Sequence, residues 1–176
     1  MQIPEAIVVK LFGREKKGTS EGKAQKLYEV GMALYNTQDD PGAFEEAAKD
    51  FRIAADAGHV ESQFMLGECN RHSIMYDRSW EEAAKYYRMA AESGHIMAQF
   101  RMGQLYEEGS GVPQSRSKAG EWYLKAAEKE LPEAQYAYAV LCEEGDCDGD
   151  AEFWYKKAAE NGHELAAKAL ERIIKK

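Results

Sequence analysis

Histidine is the side chain most often used for proton transfer near neutral pH, and this chain of 176 residues has four. Three of them, His59, His95 and His163, directly follow a glycine at one point of a recurring pattern, which makes them architectural. Only His72 falls outside that pattern, and it has no neighbouring nucleophile pattern. Neither a nucleophile elbow nor a phosphate-cradling glycine loop is present; Gly109-Ser-Gly111 reads as a turn between helices. The three cysteines (Cys69, Cys142, Cys147) are an odd set without CxxC, so neither a disulfide framework nor a zinc site is signalled. Cys142 reads as a small buried hydrophobe. Residues 143–152, EEGDCDGDAE, gather six acids. Counted from Asp146, however, the sixth and twelfth positions of a calcium loop are Ala151 and Lys157, so the template fails. The expectation is no catalytic residue, no metal and no cofactor.

Charge narrows the partners. The formal net charge is −8, and residues 27 to 167 carry 13 Lys/Arg against 27 Asp/Glu, a net of −14. An acidic body with basic ends argues against nucleic acid, which calls for a basic patch or stripe, and suits either a basic partner or a solvated surface. The apolar run Ile3 to Phe12 is followed, not preceded, by basic residues (Arg14, Lys16, Lys17). That is the reverse of a signal peptide, and no run approaches the length of a membrane span. The expected setting is cytoplasmic.

The elements that must position any functional group are helices, and they repeat. KLYEVG ends at Gly31, SQFMLG at Gly67, AQFRMG at Gly103 and AQYAYA at Ala139, each 36 residues from the next. A period of this length marks a repeat architecture. A small residue here is expected to let two helix backbones approach closely. Second helices align as AAKDFRIAADAGH, AAKYYRMAAESGH, AGEWYLKAAEKEL and AEFWYKKAAENGH. In them, aromatic residues precede an Ala-Ala pair, and Gly58, Gly94 and Gly162 serve as C-terminal caps. Asp40-Pro41 and the capping box Ser79-x-x-Glu82 mark helix starts. Residues 1–22 read as a short helix (Ile3, Ala6, Ile7, Leu11) and linker, with the helix laid across the first repeat. ELAAKALERIIKK reads as a terminal capping helix over 165–176.

These residues resemble the Sel-one-like repeat (SLR) family, relatives of the tetratricopeptide repeat. The third copy follows the family pattern throughout: AQFRMG, LYEEGSGVPQ, KAGEWYLKAA. The second and fourth keep the helices but lose the GxGVPQ turn, and the first is the most divergent. The resemblance implies an all-α fold. It would be a right-handed α/α superhelix, or solenoid, of four SLR helix pairs (about 23–60, 61–96, 97–132 and 133–164) plus the cap, with first helices on the concave side. It further implies an adaptor, regulator or scaffold, in a family whose bacterial members include proteins that protect against toxins. A cysteine-rich subgroup is linked to penicillin binding or β-lactam hydrolysis. This chain lacks that subgroup's paired cysteines.

Helical phase from the aligned small residue then places candidate groove residues on one face. Three before it stand Tyr28, Phe64, Phe100 and Tyr136, an aromatic row that also fits packing between repeats. One after stand Met32, Glu68, Gln104 and Val140; four after stand Tyr35, Arg71, Glu107 and Glu143. Tyr35, Glu68, Arg71, His72, Gln104, Glu107 and Glu143 are therefore the expected partner-binding residues, suited to a basic and apolar peptide or protein segment. Tyr76 and Trp80 offer a loop-borne alternative anchor. The expected function is a non-catalytic, bacterial protein-interaction module. An immunity protein against a secreted toxin is the alternative within that class. A hydrolase of cell-wall-derived or β-lactam substrates is the alternative outside it.

Overall fold

The computed structural model describes residues 20–37, 41–72 and 79–175. The expected leader helix, Asp40 and Tyr76 lie outside them. Among the described residues there are nine helices and no strand, so the fold is an all-α helical repeat of the solenoid class. They are α1 (Ser20–Tyr35), α2 (Pro41–Asp56), α3 (Val60–His72), α4 (Trp80–Glu92), α5 (Ile96–Glu108), α6 (Arg116–Ala127), α7 (Pro132–Glu143), α8 (Ala151–Glu160) and α9 (Glu164–Ile174). The first starts at Ser20, inside the stretch expected to be linker. Two compact units divide the chain, Met1–Arg78 and Ser79–Lys176. In the first, α1 packs on α2 and α2 on α3; in the second, every helix from α4 to α9 packs on the next.

One aromatic ring recurs at the core of the helix pairs α1–α2, α5–α6 and α7–α8, and a fourth lies buried on α4. Phe51, Tyr87, Tyr123 and Tyr155 occupy the same repeat position and are all at most 1–2% exposed, each burial contributing roughly 1.5–3 kcal/mol. In α1–α2 and α5–α6 the small residue of the first helix faces that ring. A Cβ on Gly31 would lie 2.7 Å from the Phe51 ring, and one on Gly103 would lie 2.4 Å from Tyr123. The close approach is therefore of backbone to ring, where backbone to backbone was expected. Alanines 54, 55, 90, 91, 126 and 127 are buried as flat contact surface.

Successive helices are joined by a recurring seam. Gly58, Gly94 and Gly162 sit at φ +88°, +90° and +89°, where only glycine is unstrained. The histidine that follows is the N-cap of the next helix. His95 Nδ1 accepts from the Ala98 N–H at 3.1 Å, and His163 Nδ1 from Ala166 at 3.3 Å; His59 does the same with Ser62 at 3.3 Å. Four residues after each cap position, a buried glutamine reaches back. Gln63, Gln99 and Gln135 donate through Nε2 to the carbonyls of Ala55, Ala91 and Ala127 at 3.4, 3.1 and 3.1 Å. These carbonyls lie in the last turn of their own helices, where they also accept from the Gly58, Gly94 and Glu130 N–H groups at 2.9, 3.0 and 3.0 Å. Ser79 caps α4 by accepting from Glu82 N–H at 3.2 Å, while the Glu82 carboxylate faces Lys85 at 3.4 Å.

Candidate interaction surface

In the first unit, four of the expected partner-binding residues come together. Glu68 and Arg71 lie one turn apart on α3 and pair at 2.8 Å, with His72 Nε2 3.4 Å from the same carboxylate oxygen. His72 is also hydrogen-bonded to the Arg71 guanidinium. Tyr35, at the end of α1, lies beside Phe44 and Phe51, with ring centroids 5.6 and 6.3 Å away. Burial raises its pKa, and the nearby Cys69 and Glu68 raise it further. Glu68 is only 8% exposed, so it acts first as a structural anion. Tyr28 stacks near Phe51 and His59, at 6.1 and 5.1 Å, and Phe64 is half-buried.

In the second unit, the acids of the corresponding row do something the sequence reading missed. The hydroxyl of buried Tyr123 donates to Glu107 Oε2 at 2.7 Å, and that of Tyr155 donates to Glu143 Oε2 at 2.9 Å. Burial and these carboxylates push both phenols well above their usual range. The repeat alignment carries the signal only in part, because the second copy sets Tyr87 against Arg71. Where the ring is Phe51, without a hydroxyl, the corresponding residue is Tyr35 instead of an acid.

Each acid also faces a guanidinium. Arg172 Nη2 of α9 pairs with Glu143 Oε2 at 2.5 Å. Arg116 Nη2 lies 4.0 Å from Glu107 Oε1 while bonding Glu144 and, at 3.1 Å, Asp146. The acidic loop 143–152 thus spends two carboxylates on one arginine, and Asp150 caps α8 by accepting from Phe153 N–H at 3.2 Å. Arg172 occupies the repeat position of Glu68 and Gln104. One row of one copy therefore pairs with another row of the copy before.

Gln104 accepts from Arg101 at 2.9 Å on its own helix. Phe100 lies against Tyr123 (5.6 Å), and Tyr136 lies against Tyr155 (5.7 Å) and stacks on His163 (4.4 Å). Gly109 ends α5 in the left-handed region, and a Cβ on Gly111 would strike the Trp80 carbonyl at 2.1 Å. The Gly-Ser-Gly turn is thus packing, and Trp80, the other alternative anchor, is half-buried. Among the described residues, no three His, Cys, Asp or Glu side chains could hold a metal ion. No described helix is long and apolar enough to cross a membrane.

Comparison with known proteins gives a consistent picture. A family model, the Sel1 repeat, matches residues 60–95, 96–131 and 132–163. A solved protective antigen of uropathogenic Escherichia coli strains, displaying an SLR fold, aligns with TM-score 0.78 and 25% identity over 87% of this chain and 34% of its own. A Sel1 repeat protein from Oxalobacter formigenes aligns with TM-score 0.71 and 30% identity over 84% of this chain and 60% of its own. The chain thus spans about a third and three-fifths of these two. Cysteine-rich protein B of Helicobacter pylori shares the fold, with TM-score 0.54 and 16% identity over 66% of this chain and 96% of its own. No curated protein matches the sequence.

Proposed function

The chain belongs to the Sel1 repeat family, whose members are generally protein-interaction modules and typically non-catalytic, and we propose that it binds a basic protein or peptide segment along the first-helix face. The observation that carries this is the fixed direction of Glu107 and Glu143. Each carboxylate is held by a buried tyrosine hydroxyl, so its acceptor geometry is set before a partner arrives, which lowers the ordering cost of binding. The chain's own Arg172 shows that a guanidinium fits against such an acid. Glu107 keeps the greater capacity, because its nearest guanidinium is 4.0 Å away. In the same unit Gln104 would contribute a polar contact; in the first unit Tyr35, Arg71 and His72, with Glu68 holding Arg71 in place, would offer polar contacts of their own.

The test is affinity capture with the full chain, followed by binding measurements on Glu107→Gln. The amide retains an acceptor for Tyr123 while removing the charge, whereas reversal at Glu68 would break a buried pair and unfold the site. Affinity for a captured basic partner should fall about five- to tenfold, the scale of one charge-assisted hydrogen bond. Unchanged affinity in the folded variant would sink the proposal. Capture of a secreted toxin would make this the immunity form of the same module, and turnover lost on His72→Ala would replace it with the hydrolase.

A further inference from the structure

The end of α7 brings two cysteines together. Gly145 takes φ +85°, Gly145 N–H bonds Cys142 O at 3.1 Å, and Asp146 N–H bonds Leu141 O at 2.9 Å. This is the Schellman cap, and it folds the chain back so that the Cys142 and Cys147 side chains both lie beside the Tyr138 ring, near one another. Two glycines make the room. A Cβ on Gly120 of α6 would lie 2.5 Å from Cys147 Sγ, and one on Gly149 would lie 2.7 Å from Cys142 Sγ. At the repeat position of Gly120 the two earlier copies carry Ala48 and Ala84. The glycine thus coincides with the copy against which a cysteine packs. Both thiols are partly exposed, unlike Cys69.

We propose that Cys142 and Cys147 form an intramolecular disulfide when the protein meets a peroxide. One thiolate attacks the peroxide; the O–O bond breaks and a sulfenic acid forms. The second thiol then attacks that sulfur, the S–O bond breaks and water leaves. In sum, two thiols and one hydrogen peroxide give one disulfide and two waters. The bond closes a ring over Glu143 to Asp146 and staples the end of α7, on which Glu143 sits. Burial, reinforced by Cys142, pushes the Cys147 thiol up to about 12, so the reaction is slow at neutrality and quickens as pH rises.

The experiment uses the full chain and hydrogen peroxide, with thiols counted by maleimide labelling after unfolding and the mass measured intact. The expected result is loss of two of the three free thiols, a mass decrease of about 2 Da, a peptide joining Cys142 to Cys147, and reversal by a thiol reductant. Cys142→Ser and Cys147→Ser should each abolish the mass decrease. Gly120→Ala keeps both cysteines and a side chain that two other copies tolerate, and should slow closure severalfold by displacing Cys147. Retention of all three thiols, addition of oxygen without ring closure, or crosslinked dimers in place of the ring would each overturn the proposal.

Discussion

Glu130 carries a local strain that its counterparts avoid. At φ 64° it is the single non-glycine residue with positive φ among those described, while Gly58, Gly94 and Gly162 hold the same position of other copies. A side chain in this region costs about 1–2 kcal/mol, partly offset by the greater entropy a glycine would lose on folding. Glu130→Gly should therefore stabilise the protein by roughly 0.5–1 kcal/mol, and a thermal melt would show it as a raised Tm. The sequence showed which copies have the glycine caps. It did not show that the third copy keeps the same backbone without one, because the seam is held by other bonds: Leu131 N–H still reaches Ala126 O at 3.3 Å, and Gln135 still reaches Ala127 O.

Between helices, the pairing of a second-helix tyrosine with a first-helix acid ties α5 to α6 and α7 to α8. Tyr123→Phe should cost about 1–2 kcal/mol, the net worth of a hydrogen bond to a charged acceptor that water can partly replace, since Glu107 is more than a third exposed. In a Glu107→Gln background the cost should fall toward that of a neutral hydrogen bond, so denaturant titrations of both singles and the double give a coupling energy. Helical phase put Glu107 and Glu143 in one row, and the structure keeps them in corresponding places. Phase cannot reveal what an aromatic hydroxyl does, since a tyrosine and a phenylalanine pack alike at the ring. The copies differ, Phe51 with Tyr35 against Tyr123 with Glu107, but Tyr87 with Arg71 breaks the correlation, so the alignment alone did not give the pairing. The histidines were similarly recognised as architectural, but their role as N-caps depends on a ring nitrogen reaching a backbone N–H. His95→Ala should therefore lower stability by about 1 kcal/mol, measurable in the same titrations.

Across the whole molecule, the buried phenols and thiols set the alkaline limit. Tyr28, Tyr35, Tyr123 and Tyr155 are all raised, chiefly by burial, and burial pushes the Cys69 thiol up to about 12. A tyrosine that keeps its proton in the folded state but loses it at about pH 10 when unfolded leaves the native state with more bound protons. Stability is thus fully present below about pH 8.5, where the unfolded Cys69 thiol begins to ionise. Above that it falls, more steeply past about pH 10, by up to about 1.4 kcal/mol per pH unit for each of the buried Cys69, Tyr123 and Tyr155. Alkaline titration followed by tyrosine ionisation absorbance should show cooperative unfolding above pH 10; gradual titration of the buried tyrosines in a folded chain would contradict it. The architecture was the most legible level, because four copies of one pattern reinforce each other. The division after Arg78 was not, and it falls inside the second copy, whose sequence lacks the third copy's Gly-Ser-Gly.

The seam has a consequence for how such a chain can change length. The last turn of one helix, the glycine, the histidine cap and the glutamine that reaches back all lie within about one dozen consecutive residues. Each junction is therefore a self-contained fitting, with both mating halves encoded in the same short segment. A duplication or deletion cut one period apart within that segment would regenerate an intact joint whichever copies it fused. Copy number can drift by whole units with the joint kept, and what must be re-matched are copy-specific pairs such as Arg116 with Glu144 and Gly120 with Cys147.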